Sequence, residues 1–293
     1  MNKLKVWNAY AEWADAEESW DKGAKQAHAI QPIKGLSRLP NMPGIAPETK
    51  RFLKLKSLWY ILANDADWVI VKGVLRHPLR YLWNLSRSVW RGSAHRRDGD
   101  FYYYGVDGQS TFERIISDPD TLFVVGFSYC HKPFECPSER FTPDCIHDPD
   151  NLVCRQCFIG KMAHALPERN VIPLFVPTIH YIGAQLFDIL HNNPGKRVAF
   201  LITTCEMILE MCGDIANMMG VVGIGVRLDG RVCNTMHALE LSERGVKPGL
   251  TVVLDDTKEK MLALARLRRE RCPDITMPLS DRDSDTTYET ACL

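Results

Sequence analysis

The chain of 293 residues is predicted to be an α/β protein, with a mostly parallel sheet of about five strands. A cysteine-rich metal-binding loop follows the first strand, and a helical extension precedes the sheet. Three observations carry the prediction. Short β-branched apolar runs alternate with helix-period stretches from residue 121 onward. Five cysteines crowd the polar stretch 130–157. The first 110 residues lack the alternation and read as helix, linker and helix.

Residues 1–30 place Trp7, Tyr10, Trp13 and Trp20 among acids and lysines, which predicts a helical arm packed on the main body. The proline- and glycine-rich stretch up to Lys50 is a linker or extended wrap and marks a first boundary. The division expected is 1–50 arm and linker, 51–110 basic amphipathic helical segment, 111–271 α/β cysteine-rich domain, and 272–293 disordered tail.

Residues 71–97 contain seven Lys or Arg and no Asp or Glu. Lys72, Arg76, Arg80, Arg87 and Arg91 share one helical stripe, and Leu75, Leu79, Leu82 and Val89 share another. Pro78 kinks this helix or starts a new one. Most amphipathic helices in soluble proteins lay their apolar face on a core, so that arrangement is expected here, with solvated or paired arginines. With Trp83 and Trp90, the alternative is docking on an anionic membrane or an acidic partner.

After the turn-rich RRDGDFYYYGVDGQS, strands are predicted at Leu122–Phe127, Val171–Val176, Val198–Thr203, Val221–Val226 and Thr251–Leu254. Their apolar character is continuous, as strands covered on both faces require. Helices are predicted at about Phe158–Leu166, Ile179–His191, Glu206–Met219, Met236–Arg244 and Thr257–Arg271. Such a Rossmann-like sheet binds ligands at the carboxyl ends of its strands.

The loop cysteines Cys130, Cys136, Cys145, Cys154 and Cys157 are separated by Pro, Asp, Ser, Arg and Lys, so they are not bland core residues. Something must order so polar a loop, and thiolate-held metal is the physical candidate. The N-terminus lacks a secretory pattern and no apolar run reaches membrane-spanning length, so a cytoplasmic location, with membrane association through 71–97, is expected. There, clustered cysteines point to metal or redox chemistry more often than to disulfides. The zero net charge gives the chain no overall pull toward nucleic acid, and no sequence-specific nucleic-acid contact is expected.

Cys130, Cys205 and Cys233 fall at or near the ends of three predicted strands, accompanied by Ser128, Thr178, His180, Thr203, Thr204, Asn234 and Thr235. They are expected to converge as catalytic thiols, with Asn234 beside them, or as ligands of a second cluster. GVVGIG has the wrong spacing for a dinucleotide fingerprint, NNPGKR is not a P-loop, and no GxSxG elbow occurs.

CPSERFTPDC, CRQCFIGK and the distal GVRLDGRVCNT resemble the family called domain of unknown function 116. The resemblance spans about Phe123–Val253 and leaves the N-terminal 110 residues outside. It implies a Rossmann-like cysteine protein that binds iron and sulfur, without an assigned reaction. An acidic residue of the family stands differently from Glu206, so no role is carried to Glu206.

Structural zinc sites pair tight knuckles, whereas only Cys154 and Cys157 are so paired here. Scattered ligands suit an iron-sulfur cluster better, so Cys136, Cys145, Cys154 and Cys157 are expected to hold a 4Fe-4S cluster, with zinc as alternative; His147 is expected to be a solvated loop histidine, its replacing one cysteine as ligand being the alternative. The expectation is an iron-sulfur enzyme doing redox or Lewis-acid chemistry on a small molecule at the strand ends, served by a redox partner. The alternative is a metal-stabilised adaptor that docks through its basic helix.

Overall fold

The computed structural model describes residues 5–41, 44–51, 53–90 and 92–273. The disordered-tail expectation falls on residues 274–293, outside the described residues, as do Arg91 and Cys292.

The arm begins with a 3-10 turn, Val6–Ala9, and continues as α1, Trp13–Ile30. Four helices follow: α2 (Pro47–Lys50), α3 (Leu53–Ala63), α4 (Val69–Leu75) and α5 (Pro78–Trp90). Pro78 opens α5, where its missing N–H leaves no helical bond unmade. Next come β1 (Arg96–Asp98), β2 (Phe101–Tyr104), α6 (Gln109–Ile116) and β3 (Leu122–Ser128). The cysteine-rich loop leads into α7 (Leu152–Gln156) and α8 (Phe158–Ala165). The remainder is β4 (Val171–Val176), α9 (Ile179–Asn192), β5 (Val198–Thr204), α10 (Glu206–Met219), β6 (Val222–Arg227), β7 (Asp229–Gly230), α11 (Met236–Ser242), β8 (Thr251–Val252) and α12 (Asp255–Arg271).

The main sheet has six strands in the order β1-β2-β6-β5-β3-β4. The four predicted apolar strands β3 to β6 run parallel, with Phe127 opposite Thr203 between β3 and β5. Two features depart from the sequence reading. The stretch taken as turns is a hairpin, β1 and β2, added antiparallel to β6, so residues 96–104 join the sheet. Thr251 and Val252 lie outside that sheet and pair antiparallel with Asp229 and Gly230.

Alternation along β3 divides the core. Phe123, Val125 and Phe127 pack with α6, α8, α12 and the arm. Leu122 and Val124 pack with α5, α9 and α10 on the other face. Each buried side chain of this size contributes roughly 1.5–3 kcal/mol. The arm is tied to the cysteine-rich segment: Arg155 lies 4.4 Å over the Trp20 ring and donates to Ser19 O at 2.9 Å. Lys161 also pairs with Glu17 and Asp21, each at 2.9 Å.

The expectation for α5 is overturned. Tyr81 and Ser88 are buried, Asn84 donates to Met218 O, and Ser88 donates to Asp214, so this side faces the body. Leu75 of α4 and Leu79, Leu82 and Val89 of α5 are exposed. An amphipathic pattern defines two faces without saying which turns inward, and polar anchors on α10 decide it here. Among the described residues no helix is long and apolar enough to cross a membrane.

Candidate functional site

After β4 the chain crosses over β3 to reach β5, so β3 and β5 are neighbours whose onward connections diverge. The carboxyl ends of such a pair form the crevice where open α/β sheets bind ligands. Cys130 stands in a 3-10 turn, Tyr129–His131, just after β3, and Cys205 caps α10 just after β5. Both line a cavity of about 40 Å³ together with Cys233, which arrives from beyond β7. The structure therefore brings these three sequence-selected cysteines onto one cavity.

The thiols differ in surroundings. Burial raises the Cys205 thiol, and neighbouring Cys233 and Cys130 raise it further. Burial likewise raises Cys130, opposed by Lys247 and by the Ser128 and Ser242 hydroxyls. Lys247 Nζ donates to Cys233 Sγ at 3.1 Å. Glu243 shares the cavity, and burial pushes its carboxyl up to about 7 although the Ile179 N–H donates to it at 2.8 Å. The buried Thr203 hydroxyl also lines the cavity and has no hydrogen-bond partner.

Other expected companions serve the fold. Thr178 lines the cavity and caps α9 by accepting from Tyr181 N, while Thr235 caps α11. His180 Nε2 donates to Ile61 O and so holds α3 against α9. Asn234 is not among the residues lining this cavity, and its carbonyl accepts the Ala46 N–H. Glu206 pairs with Arg97 at 2.9 Å. Sequence reasoning missed Glu243 and Lys247: Glu243 fell within the predicted helix Met236–Arg244 without a site role, and Lys247 just beyond it.

An apolar cavity of about 100 Å³ adjoins the thiol cavity, sharing Ile179, Ile182, Ile202, Thr204 and Ile208 with it. Cys212 lines this second space, and burial pushes its thiol up to about 12.

The remaining loop cysteines, Cys136, Cys145, Cys154 and Cys157, line a separate cavity of about 10 Å³ with His147. Burial pushes Cys154 and Cys157 up to about 12 and raises Cys145. Backbone amides oppose that rise: Gly160 and Ile159 at Cys157, Asp148 at Cys154, His147 at Cys145. Amides aimed at sulfur stabilise thiolates and tune any metal they hold. A Cβ on Gly160 would collide with Cys154 O, so only glycine lets the start of α8 approach so closely. The His147 Nδ1 lies 2.9 Å from Cys145 O and must donate to it, leaving Nε2 as its acceptor nitrogen.

Side chains other than metal ligands order much of this loop. The Lys132 ammonium donates to Glu139 O, Thr142 O and Asp144 O at 2.7–3.1 Å. Arg140 donates to Lys132 O and Cys130 O, and also to Lys247 O and Gly249 O, linking the two cysteine groups through one guanidinium. Among the described residues, no group of three or more His, Cys, Asp or Glu is disposed to hold a metal ion as it stands. The donor set itself fits: four soft thiols with amide donors at three of them suit iron-sulfur or zinc.

Compared with known proteins, the chain matches no family model, no curated sequence and no solved structure.

Proposed function

We propose that the chain is an iron-sulfur protein that transforms a small molecule at the carboxyl edge of its sheet. The observation that carries the reading is the sharing of one cavity by Cys136, Cys145, Cys154 and Cys157, with amides directed at three of the sulfurs. The resemblance of CRQCFIGK and VCNT to a cysteine-rich, iron-sulfur family points the same way. When bound, a cluster supplies electrons or an open iron that polarises a substrate oxygen.

The strand-end cavity supplies the protein's own chemistry. Lys247 Nζ donates to Cys233 Sγ, a contact that singles Cys233 out as the nucleophile or ligand of the three. Glu243, with its carboxyl near neutrality, accepts and returns a proton. Thr203 offers an unpaired hydroxyl to a bound molecule, and the adjoining apolar space accommodates an apolar portion of it. A second cluster on Cys130, Cys205 and Cys233 is the variant of this reading in which the thiols are ligands.

The small size of the loop cavity favours a second reading, one zinc ion in a metal-stabilised adaptor. Anaerobic purification with an absorbance spectrum and iron, sulfide and zinc analysis separates the two. Iron with matching sulfide and a visible band bleached by dithionite is the expected result. Zinc without sulfide overturns the iron-sulfur reading.

A further inference from the structure

All four tryptophans of residues 53–90 stand in solvent: Trp59 is 75 % exposed, Trp68 66 %, Trp83 72 % and Trp90 93 %. In the arm, by contrast, Trp7 and Trp20 are buried. Leu58, Leu62, Leu75, Leu79, Leu82 and Val89 are exposed on the same three helices, α3 to α5. These helices form one outer layer: Lys54 of α3 and Ser88 of α5 both reach Asp214 of α10, and α4 packs on α5 and α9. An apolar surface of this extent on one layer marks an interaction site.

Charge identifies the occupant. Lys72, Arg76, Arg80 and Arg87 are exposed on α4 and α5, and residues 71–97 contain no acid. The acids that reach this stretch from neighbouring elements are Asp188, 3.5 Å from Arg76, Asp65, which accepts the Ile70 and Val71 amides, and Asp214, Glu210 and Glu206, which meet Ser88, His95 and Arg97 on the side turned to α10. A two-fold pairing with a second copy would bring such basic stripes together, which like-charge repulsion disfavours. Tryptophans beside leucines and a lysine- and arginine-rich flank match the boundary between lipid headgroups and acyl chains.

We propose that α3, α4 and α5 dock this protein on an anionic membrane surface, with Trp59, Trp68, Trp83 and Trp90 at headgroup depth and the basic residues on lipid phosphates. The inference does not depend on the reading of the cysteine sites. The face of α5 that carries Leu79, Leu82, Trp83, Val89 and Trp90 together with Arg80 and Arg87 has its covering surface in the lipid, while Tyr81, Asn84, Leu85 and Ser88 hold the helix to the body.

Co-sedimentation of the full chain with vesicles tests this, using phosphatidylcholine alone and a 3:1 mixture with phosphatidylglycerol. The wild type should pellet with the mixed vesicles at low salt, with a blue-shifted tryptophan emission, and be released by high salt. Arg76→Gln, Arg80→Gln and Arg87→Gln together should weaken partitioning on the order of 100-fold, at roughly fivefold per charge. Trp83→Ala with Trp90→Ala should weaken partitioning severalfold and diminish the blue shift, which Trp59 and Trp68 still report, while leaving the thermal transition unchanged, because both side chains are exposed. Wild-type protein left in the supernatant of mixed vesicles at low salt would overturn the proposal. A sedimentation-velocity dimer lost in the tryptophan variant, without vesicle binding, would overturn it equally and assign the face to a second copy.

Discussion

The two cysteine groups lie on either side of Arg140 and differ in what accompanies the backbone amides around their sulfurs. In the loop group the sulfurs meet backbone amides, which stabilise charge on sulfur without exchanging protons. In the strand-end group side-chain donors are added to the Ile208 amide at Cys205: Lys247 donates to Cys233 Sγ and the Ser242 hydroxyl lies 3.9 Å from Cys130 Sγ, while Glu243 and Thr203 line the same cavity. The first environment suits permanent ligands and the second suits chemistry. The difference teaches that cysteine spacing alone does not separate holding from reacting, because the second atom around each sulfur decides it.

The largest expected effect breaks the loop group. Cys154→Ala and Cys157→Ala each remove a ligand and should empty the site of metal, with a loss of several kcal/mol of stability where metal binding is coupled to folding. Metal content and thermal unfolding of the two variants measure this, and full metal retention in both would remove the distinction drawn above. Lys132→Met separates the loop's own order from its metal. Its ammonium is buried and holds three carbonyls, so the loss should be about 3 kcal/mol even in metal-free protein. Denaturant unfolding of chelator-treated protein reads that loss.

A third change sharpens the other side of the comparison. Glu243 binds its proton more tightly in the folded chain, with its carboxyl near 7, than in the unfolded chain. Folded protein therefore holds more protons between about pH 4.5 and 7, and its stability falls as pH rises through that window. Glu243→Gln should remove this slope, worth at most ~3 kcal/mol, while its amide oxygen still accepts the Ile179 N–H. Unfolding midpoints of both proteins at several pH values provide the check, and parallel profiles would take Glu243 out of the account. The smallest effect is at Lys247. Lys247→Met should change the rate at which iodoacetamide alkylates Cys233 severalfold, by removing the donor to its sulfur, and leave Cys157 unchanged.

Much of this was readable in the residues. Strands β3 to β6 announced themselves because burial on both faces leaves continuous runs such as LFVVGF and VAFLIT. The convergence of Cys130, Cys205 and Cys233 was readable because strand ends on one edge of a parallel sheet lie side by side. The β1–β2 hairpin was hidden by its composition: β1 is the exposed edge Arg96–Asp98, and Gly99, at φ +59°, reads as turn chemistry. The orientation of α5 was illegible because Asp214 and Met218, the partners that fix it, lie more than a hundred residues away. Glu243 and Lys247 escaped for a similar reason, since only tertiary apposition turns a charged surface turn into part of a cavity. The polar loop owes part of its order to side chains rather than to metal alone, because Lys132 and Arg140 donate to several of its carbonyls.

The central claim is that the loop group holds metal as a cluster and the strand-end group need not. Iron and acid-labile sulfide per chain, measured after anaerobic purification of two alanine sets, test it most directly. One set replaces Cys136, Cys145, Cys154 and Cys157, and the other replaces Cys130, Cys205 and Cys233. The account predicts iron and sulfide in equal amounts in the strand-end set and none at the loop in the loop set. Undiminished iron and sulfide in the loop set, with both lost from the strand-end set, would contradict it.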